Sequence, residues 1–247
     1  MKSRGVSCGS RWTLVTGLAL WLVAGPAAAA DPLVNVDWVK ANLDKPGIVY
    51  VDFAPPADFL RGHIPGAVNS NYAKDGWREE RSDKVPDMLP AKLDALGETI
   101  GKLGIDNGTH VVLVPAGMSS TDMGVGTRVY WTFKVLGHDN VSILDGGMAA
   151  WTKDKKNPMQ TGAPKIEPKT FKIAVRKDMI VTMDDVRKAK AAGVLLVDNR
   201  PEDQYAGINR HPKATESGTI EGAKNLPNGW LTVNGMGEFR NRSQLDQ

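Results

Sequence analysis

The sequence predicts an α/β fold built as two related domains, each a parallel sheet flanked by helices, with the second incomplete. The first observation behind this is an internal repeat. Arg61-Gly62-His63-Ile64-Pro65-Gly66-Ala67-Val68-Asn69 recurs in degraded form as Ser217-Gly218-Thr219-Ile220-Glu221-Gly222-Ala223-Lys224-Asn225. The second is that each copy follows an apolar run ending in aspartate, at residues 48–52 and 194–198. The third is the regular alternation of strand-like and helix-like stretches through the first copy, the pattern of a parallel sheet covered on both faces. A repeat sets the architecture before any single element is read. It divides the chain into a first domain at 31–152, a linker at 153–178 and the N-terminal part of a second domain at 179–247.

Residues 1–30 precede the fold. Lys2, Arg4 and Arg11 form a basic head, residues 12–24 an apolar stretch, and Ala28-Ala29-Ala30 a small-residue cleavage site. That order predicts a secretory signal peptide, cleaved near Ala30 to leave a periplasmic or secreted chain. The apolar stretch is short of the roughly twenty residues that span a bilayer, so no membrane association is expected after cleavage. The leader carries three basic residues and no acidic one, so its removal takes the formal charge from +3 to zero. The mature chain therefore has no electrostatic footprint for nucleic acid. Cys8 is the only cysteine and lies in the leader. Residues 31–247 contain no thiol and form no disulfide, so an apolar core must supply the stability.

Within the first domain, Asn35 is placed to cap a short helix, and Val49-Tyr50-Val51 reads as a buried strand. Leu93, Leu96, Ile100 and Leu103 recur at helical spacing, with Gly104 where a helix end favours a left-handed residue. Residues 111–114 form a β-branched run. Residues 125–136 read as a helix stopped by Gly137, and residues 141–144 as a last strand closed by Asp145-Gly146-Gly147. From Trp151 to Met179 the composition shifts to lysines and prolines without helical periodicity, which predicts a solvated connector with an extended segment near 171–175. Thr182 and the acidic pair Asp184-Asp185 then open a helix, in the position that Asn35 holds in the first copy. The asparagines and glycines of 225–247 predict a loosely held tail.

Taken together, these motifs resemble the rhodanese superfamily, specifically its tandem thiosulfate sulfurtransferases. The resemblance rests on Val51-Asp52, the Gly62–Ala67 turn, Gly137-His138-Asp139-Asn140-Val141, and Leu144-Asp145-Gly146-Gly147 with Trp151. In the second copy it rests on Val197-Asp198-Asn199-Arg200-Pro201 and on Gly218 to Pro227. It implies sulfane-sulfur transfer from a small anionic donor such as thiosulfate to cyanide or a thiol acceptor. The carrier is a cysteine persulfide formed in a loop of backbone N–H groups at a helix N-terminus. In tandem members that cysteine typically belongs to the second domain, whose catalytic loop would lie beyond Gln247.

In the first domain the corresponding loop runs from Pro115 to Gly124, and its nucleophile position falls at Ser119 or Ser120. Neither can carry a persulfide. Asp122 places a negative charge where an anion should be received, and the Gly-x-Ser-x-Gly elbow of serine hydrolases is absent. The chain as it stands is therefore expected to have no catalytic residue and no turnover. Arg200 is the candidate contact for an anionic donor, its alternative being an ion pair with Asp198 or Glu202. His63, Pro65, His138 and Asp145 read as packed or turn residues. The four histidines are scattered, so no metal is expected, and no cofactor is implied. The rival reading is a non-catalytic module that binds a sulfur oxyanion or a protein partner.

Overall fold

The computed structural model describes residues 29–80, 89–90 and 92–246, and nearly all of the leader lies outside them. A five-stranded, wholly parallel sheet is built from β1 (Leu33–Val34), β2 (Ile48–Asp52), β3 (Val68–Asn69), β4 (His110–Val114) and β5 (Val141–Leu144), in the order β1-β5-β4-β2-β3. Alternate strand residues face opposite sides. Val51, Val111, Leu113 and Ile143 join one buried cluster, whereas Tyr50, Val112, Val114 and Leu144 join the other. The first cluster is covered by α3 (Leu93–Lys102) and α4 (Ser120–Val135), which contribute Leu96, Ile100, Val129 and Phe133. The second is covered by α1 (Val36–Lys40), α2 (Pro56–Arg61) and α5 (Gly147–Lys153), through Val39, Phe59 and Trp151.

The caps read from the sequence form. Asn35 accepts the Trp38 amide at 2.8 Å, and Gly104 and Gly137 take φ of 78° and 84° at their helix ends. Helix α4 starts at Ser120, five residues before the expected Val125, because Ser119 caps it.

Residues 157–176, expected to form a solvated connector, instead lie as a strap across the first sheet's helical layer. Gln160 exchanges backbone hydrogen bonds with His63, Lys169 N donates to Gly101 O at 2.9 Å, and Ala174 N donates to Leu136 O at 3.0 Å. Phe171 is 7% exposed and meets Phe133 and His138 edge-on. Arg176 grips Asp139 with two bonds of 2.8 and 2.5 Å; with Lys134 also in contact, they hold that carboxyl well below the usual carboxylate range. The strap needs glycines beneath it, since a Cβ on Gly101 would lie 2.4 Å from Lys169 O and one on Gly137 2.5 Å from Ala174 O. The exposed lysines mask the docking in the sequence, because only Ile166, Phe171 and Ile173 among them pack on the core. Limited trypsin digestion is therefore expected to cut first at the exposed Lys155 and Lys156. Cleavage after the tied Lys169 and Lys172 should be at least several-fold slower; equal rates would mean that the strap is not docked.

Beyond a 3-10 turn at Lys177–Met179, α6 (Met183–Ala191) opens with a capping box between Thr182 and Asp185. A two-stranded parallel sheet follows, from β6 (Val197–Asp198) and β7 (Lys224–Asn225), with α7 (Glu202–Tyr205) between them. Its register repeats that of β2 with β3: Asp198 stands opposite Asn225 as Asp52 stands opposite Asn69. Val194, Leu195, Val197 and Ile220 remain between 46% and 65% exposed. The chain closes with 3-10 turns at Asn228–Leu231 and Val233–Gly235 and with α8 (Arg242–Leu245).

The tail after Asn225 is not loosely held. Residues 229–239 return to the carboxyl edge of the five-stranded sheet. Phe239 packs against its core, and the Phe239 amide donates to Asp145 Oδ1 at 2.8 Å. Gly237 sits on Gly117 so closely that a Cβ would fall 2.0 Å from Gly117 O.

Candidate functional site

The sheet order places a topological switch between β2 and β4, where the chain leaves in opposite directions and a crevice opens beyond the strand ends. The loop that follows β4, residues 115–119, lines one side of it. Ser119 is the N-cap of α4, its Oγ accepting the Asp122 amide at 3.2 Å. Asp122 answers by reaching back, its Oδ2 accepting the Met118 amide at 3.0 Å. In an anion-receiving loop such amides point at the ligand. Here one of them is taken by the chain's own carboxylate, whose charge repels a sulfur oxyanion. Ser120 is the first residue of the helix. The structure thus brings Ser119, Ser120 and Asp122 to one helix start, where Ser119 is committed to capping.

The loop is also enclosed. Gly117 takes φ of 79° and approaches the 146–147 turn so closely that a Cβ would meet Gly146 O at 2.0 Å. Gly237 covers its other side. The crevice itself, about 410 Å³, is lined by Asp52, Asp58 and Asp122 together with Phe53, Tyr72 and Met118, and no lysine or arginine is among the described residues lining it. Asp52 is 2% exposed. Its Oδ1 accepts the Ala54 amide at 2.7 Å, whereas Oδ2 is buried and unpartnered. Burial raises its pKa, against smaller lowering effects from the Ala54 amide and from His63.

His63, fully buried, stacks on Phe59 at 3.8 Å, with Nδ1 2.8 Å from Phe59 O. His138 is 3.1 Å from Asn140 O and is pushed down by burial. His63 is packed, as its sequence context implied, and His138, expected as a helix-end residue, is buried as well. Asp145 serves the returning tail; burial raises its pKa, with a smaller lowering effect from the Phe239 amide.

In the C-terminal sheet, Arg200 is locked to Asp198: Nε lies 3.0 Å from Oδ1, and Nη2 lies 2.5 Å from Oδ2 and 2.8 Å from Gly218 O. Asp198 also accepts Thr219 Oγ1 at 2.6 Å, and Arg200 first, then Thr219, holds it far below the usual carboxylate range. Arg200 lines a depression of its own with residues 196–199 and 216–220 and ties its aspartate to the 217–219 turn. Of the residues that shape the crevice, Asp52 was passed over in the sequence. Its signal was the contrast between Asp198-x-Arg200 and Asp52-x-Ala54.

A parallel sheet with a helix-start loop at its switch point defines an open α/β domain of the kind that receives ligands beyond its strand ends. The rhodanese-like domain family matches residues 35–154. Bovine thiosulfate sulfurtransferase is 31% identical over 212 residues, covering 79% of this chain and 68% of the bovine protein. The sulfur carrier protein TtuD of Thermus thermophilus is 31% identical over 233 residues, covering 88% and 76%. The solved 3-mercaptopyruvate sulfurtransferase SseA of Escherichia coli superposes with a TM-score of 0.72 at 27% identity, covering 88% of this chain and 82% of SseA. The chain belongs to the rhodanese family; the bovine and Escherichia coli relatives are sulfurtransferases and the Thermus relative is a sulfur carrier protein.

Proposed function

We propose that this chain is a periplasmic rhodanese protein of the tandem type, in which the first domain, 31–152, is a non-catalytic scaffold for sulfur-transfer chemistry. A second rhodanese-like unit begins near residue 179. The family chemistry is transfer of sulfane sulfur from an anionic donor such as thiosulfate to cyanide or a thiol through a cysteine persulfide. The observation that carries the reading is Asp122 seated on the loop amide, in a stretch 31–247 that contains no thiol. A serine at 119 or 120 cannot hold the transferred sulfur, and an acidic crevice disfavours the donor. The repeated register of β2-β3 and β6-β7 supports the tandem arrangement, and the basic-apolar-small leader supports the compartment. Arg200 retains a role as a donor contact only if its Asp198 bridge opens.

The purified 31–247 chain should form no thiocyanate from thiosulfate and cyanide above the uncatalysed rate and should hold no cyanide-releasable sulfur. Turnover would overturn this reading, and turnover that persists in S119A/S120A would locate the chemistry outside the loop. A non-catalytic protein-binding module is the second reading, drawn from the exposed apolar side chains at 194–197. Oxyanion binding by the first loop is the weaker form of that reading, because Asp122 opposes it.

A further inference from the structure

Each copy of the repeat presents the same aspartate at the end of the same strand, and the two differ in what neutralises it. At Asp198 a guanidinium lies along the carboxylate, from Arg200 two residues on, and a hydroxyl arrives from Thr219. At the matching positions of the first copy stand Ala54 and His63. The backbone bond survives, since the Ala54 amide reaches Asp52 Oδ1 as the Arg200 amide reaches Asp198 Oδ1 at 3.0 Å. The guanidinium is what is missing. Asp198 Oδ2 takes both the guanidinium and the Thr219 hydroxyl; with Ala54 and His63 in their places, Asp52 Oδ2 is buried and unpartnered, and so is His63 Nε2.

A buried polar atom without a partner is uncommon in a folded protein and calls for a physical explanation. Asp52 and Ala54 both line the 410 Å³ crevice, in which Asp58 and Asp122 are further carboxylates and Phe53 and Tyr72 supply aromatic surface. Asp58 already meets Arg61, and Asp122 already accepts the Met118 amide, so Asp52 is the carboxylate left to anchor a ligand. The position agrees with the general site of ligand binding in open parallel sheets, outside the strand ends at the switch point.

We propose that this crevice binds a guanidinium-bearing ligand, whose planar cation seats on Asp52 in the place that Arg200 takes on Asp198. Planar guanidinium and carboxylate make paired, charge-assisted hydrogen bonds, whereas the Tyr72 ring already carries the Arg78 guanidinium at 5.1 Å from its centroid. The burial that raises the Asp52 pKa is offset when such a cation arrives. The site is independent of sulfur transfer, so it stands or falls by binding alone.

The guanidinium could come from a free small molecule or from an arginyl side chain of a peptide; the crevice chemistry is the same for both. The test uses the 31–247 chain in about 0.15 M salt, which screens loose surface attraction, with agmatine and an arginine-containing pentapeptide as probes followed by amide chemical shifts. Saturable shifts at Asp52, Ala54 and Asp122 are expected with at least one probe, and the tighter one identifies the source. Ala54→Arg should fill the site from within, weaken probe binding by about tenfold or more and raise the thermal midpoint. Asp52→Asn should weaken binding similarly if it folds; if it does not, Ala54→Arg decides alone. Absence of saturable binding at millimolar probe, or equal binding to wild type and Ala54→Arg, overturns the proposal.

Discussion

Gly237→Ala is expected to lift residues 229–239 off the first sheet while leaving that sheet folded. The added Cβ would lie 2.0, 2.6 and 2.8 Å from O, C and Cα of Gly117, all backbone atoms that cannot rotate aside. Gly117 cannot retreat either, because its own close approach to Gly146 fixes it from the other side. Relief must come from the tail. Its departure removes the bond from the Phe239 amide to Asp145 and the packing of Phe239 on the core. Overpacking and the loss of a hydrogen bond to a carboxylate together amount to about 2–5 kcal/mol of docking free energy. Hydrogen exchange at Phe239 should accelerate accordingly, while amides of β4 and β5 keep their protection. Unchanged exchange at Phe239 would show that the tail is not seated through this contact.

Phe133→Ala should have the largest effect on global stability, with a loss of about 3–5 kcal/mol. Phe133 is fully buried, and its ring lies 5.7 Å from Trp77, 5.5 Å from His138 and 6.0 Å from Phe171. It joins helix α4, the strap and the turn after β3 in one contact, so the void cannot be closed by a shift of any single element. Urea unfolding followed by far-UV circular dichroism measures the loss. Ile208→Ala, at a side chain 77% exposed, is the control and should change stability by less than about 0.5 kcal/mol. A loss at Phe133 no larger than the control would mean that the aromatic cluster is not the centre of this core.

Local pattern carried the regular elements. The β-branched run at 111–114 and residues 141–144, apolar but for Ser142, could be read because buried parallel strands are rich in apolar side chains. Gly104 and Gly137 marked helix ends because a left-handed residue is needed there. The strap failed on the same reasoning: Phe171 is a single buried aromatic among lysines, and its burial depends on glycines at 101 and 137 far back in the chain. The tail failed likewise. Gly237 looks like a flexible residue in sequence, yet in the fold it is the small residue that lets two backbones touch.

The sequence by itself determined the repeat, the parallel α/β plan and the lack of a thiol anywhere in 31–247. These are properties of residue identity and spacing. Only the tertiary structure decided that Asp122 occupies its own loop, that residues 229–239 cover that loop, and that Asp52 has an oxygen with no partner where Asp198 has an arginine. The physical reason is that backbone close approach and carboxylate pairing join positions distant along the chain. No local spacing records which of two equivalent aspartates has found its cation.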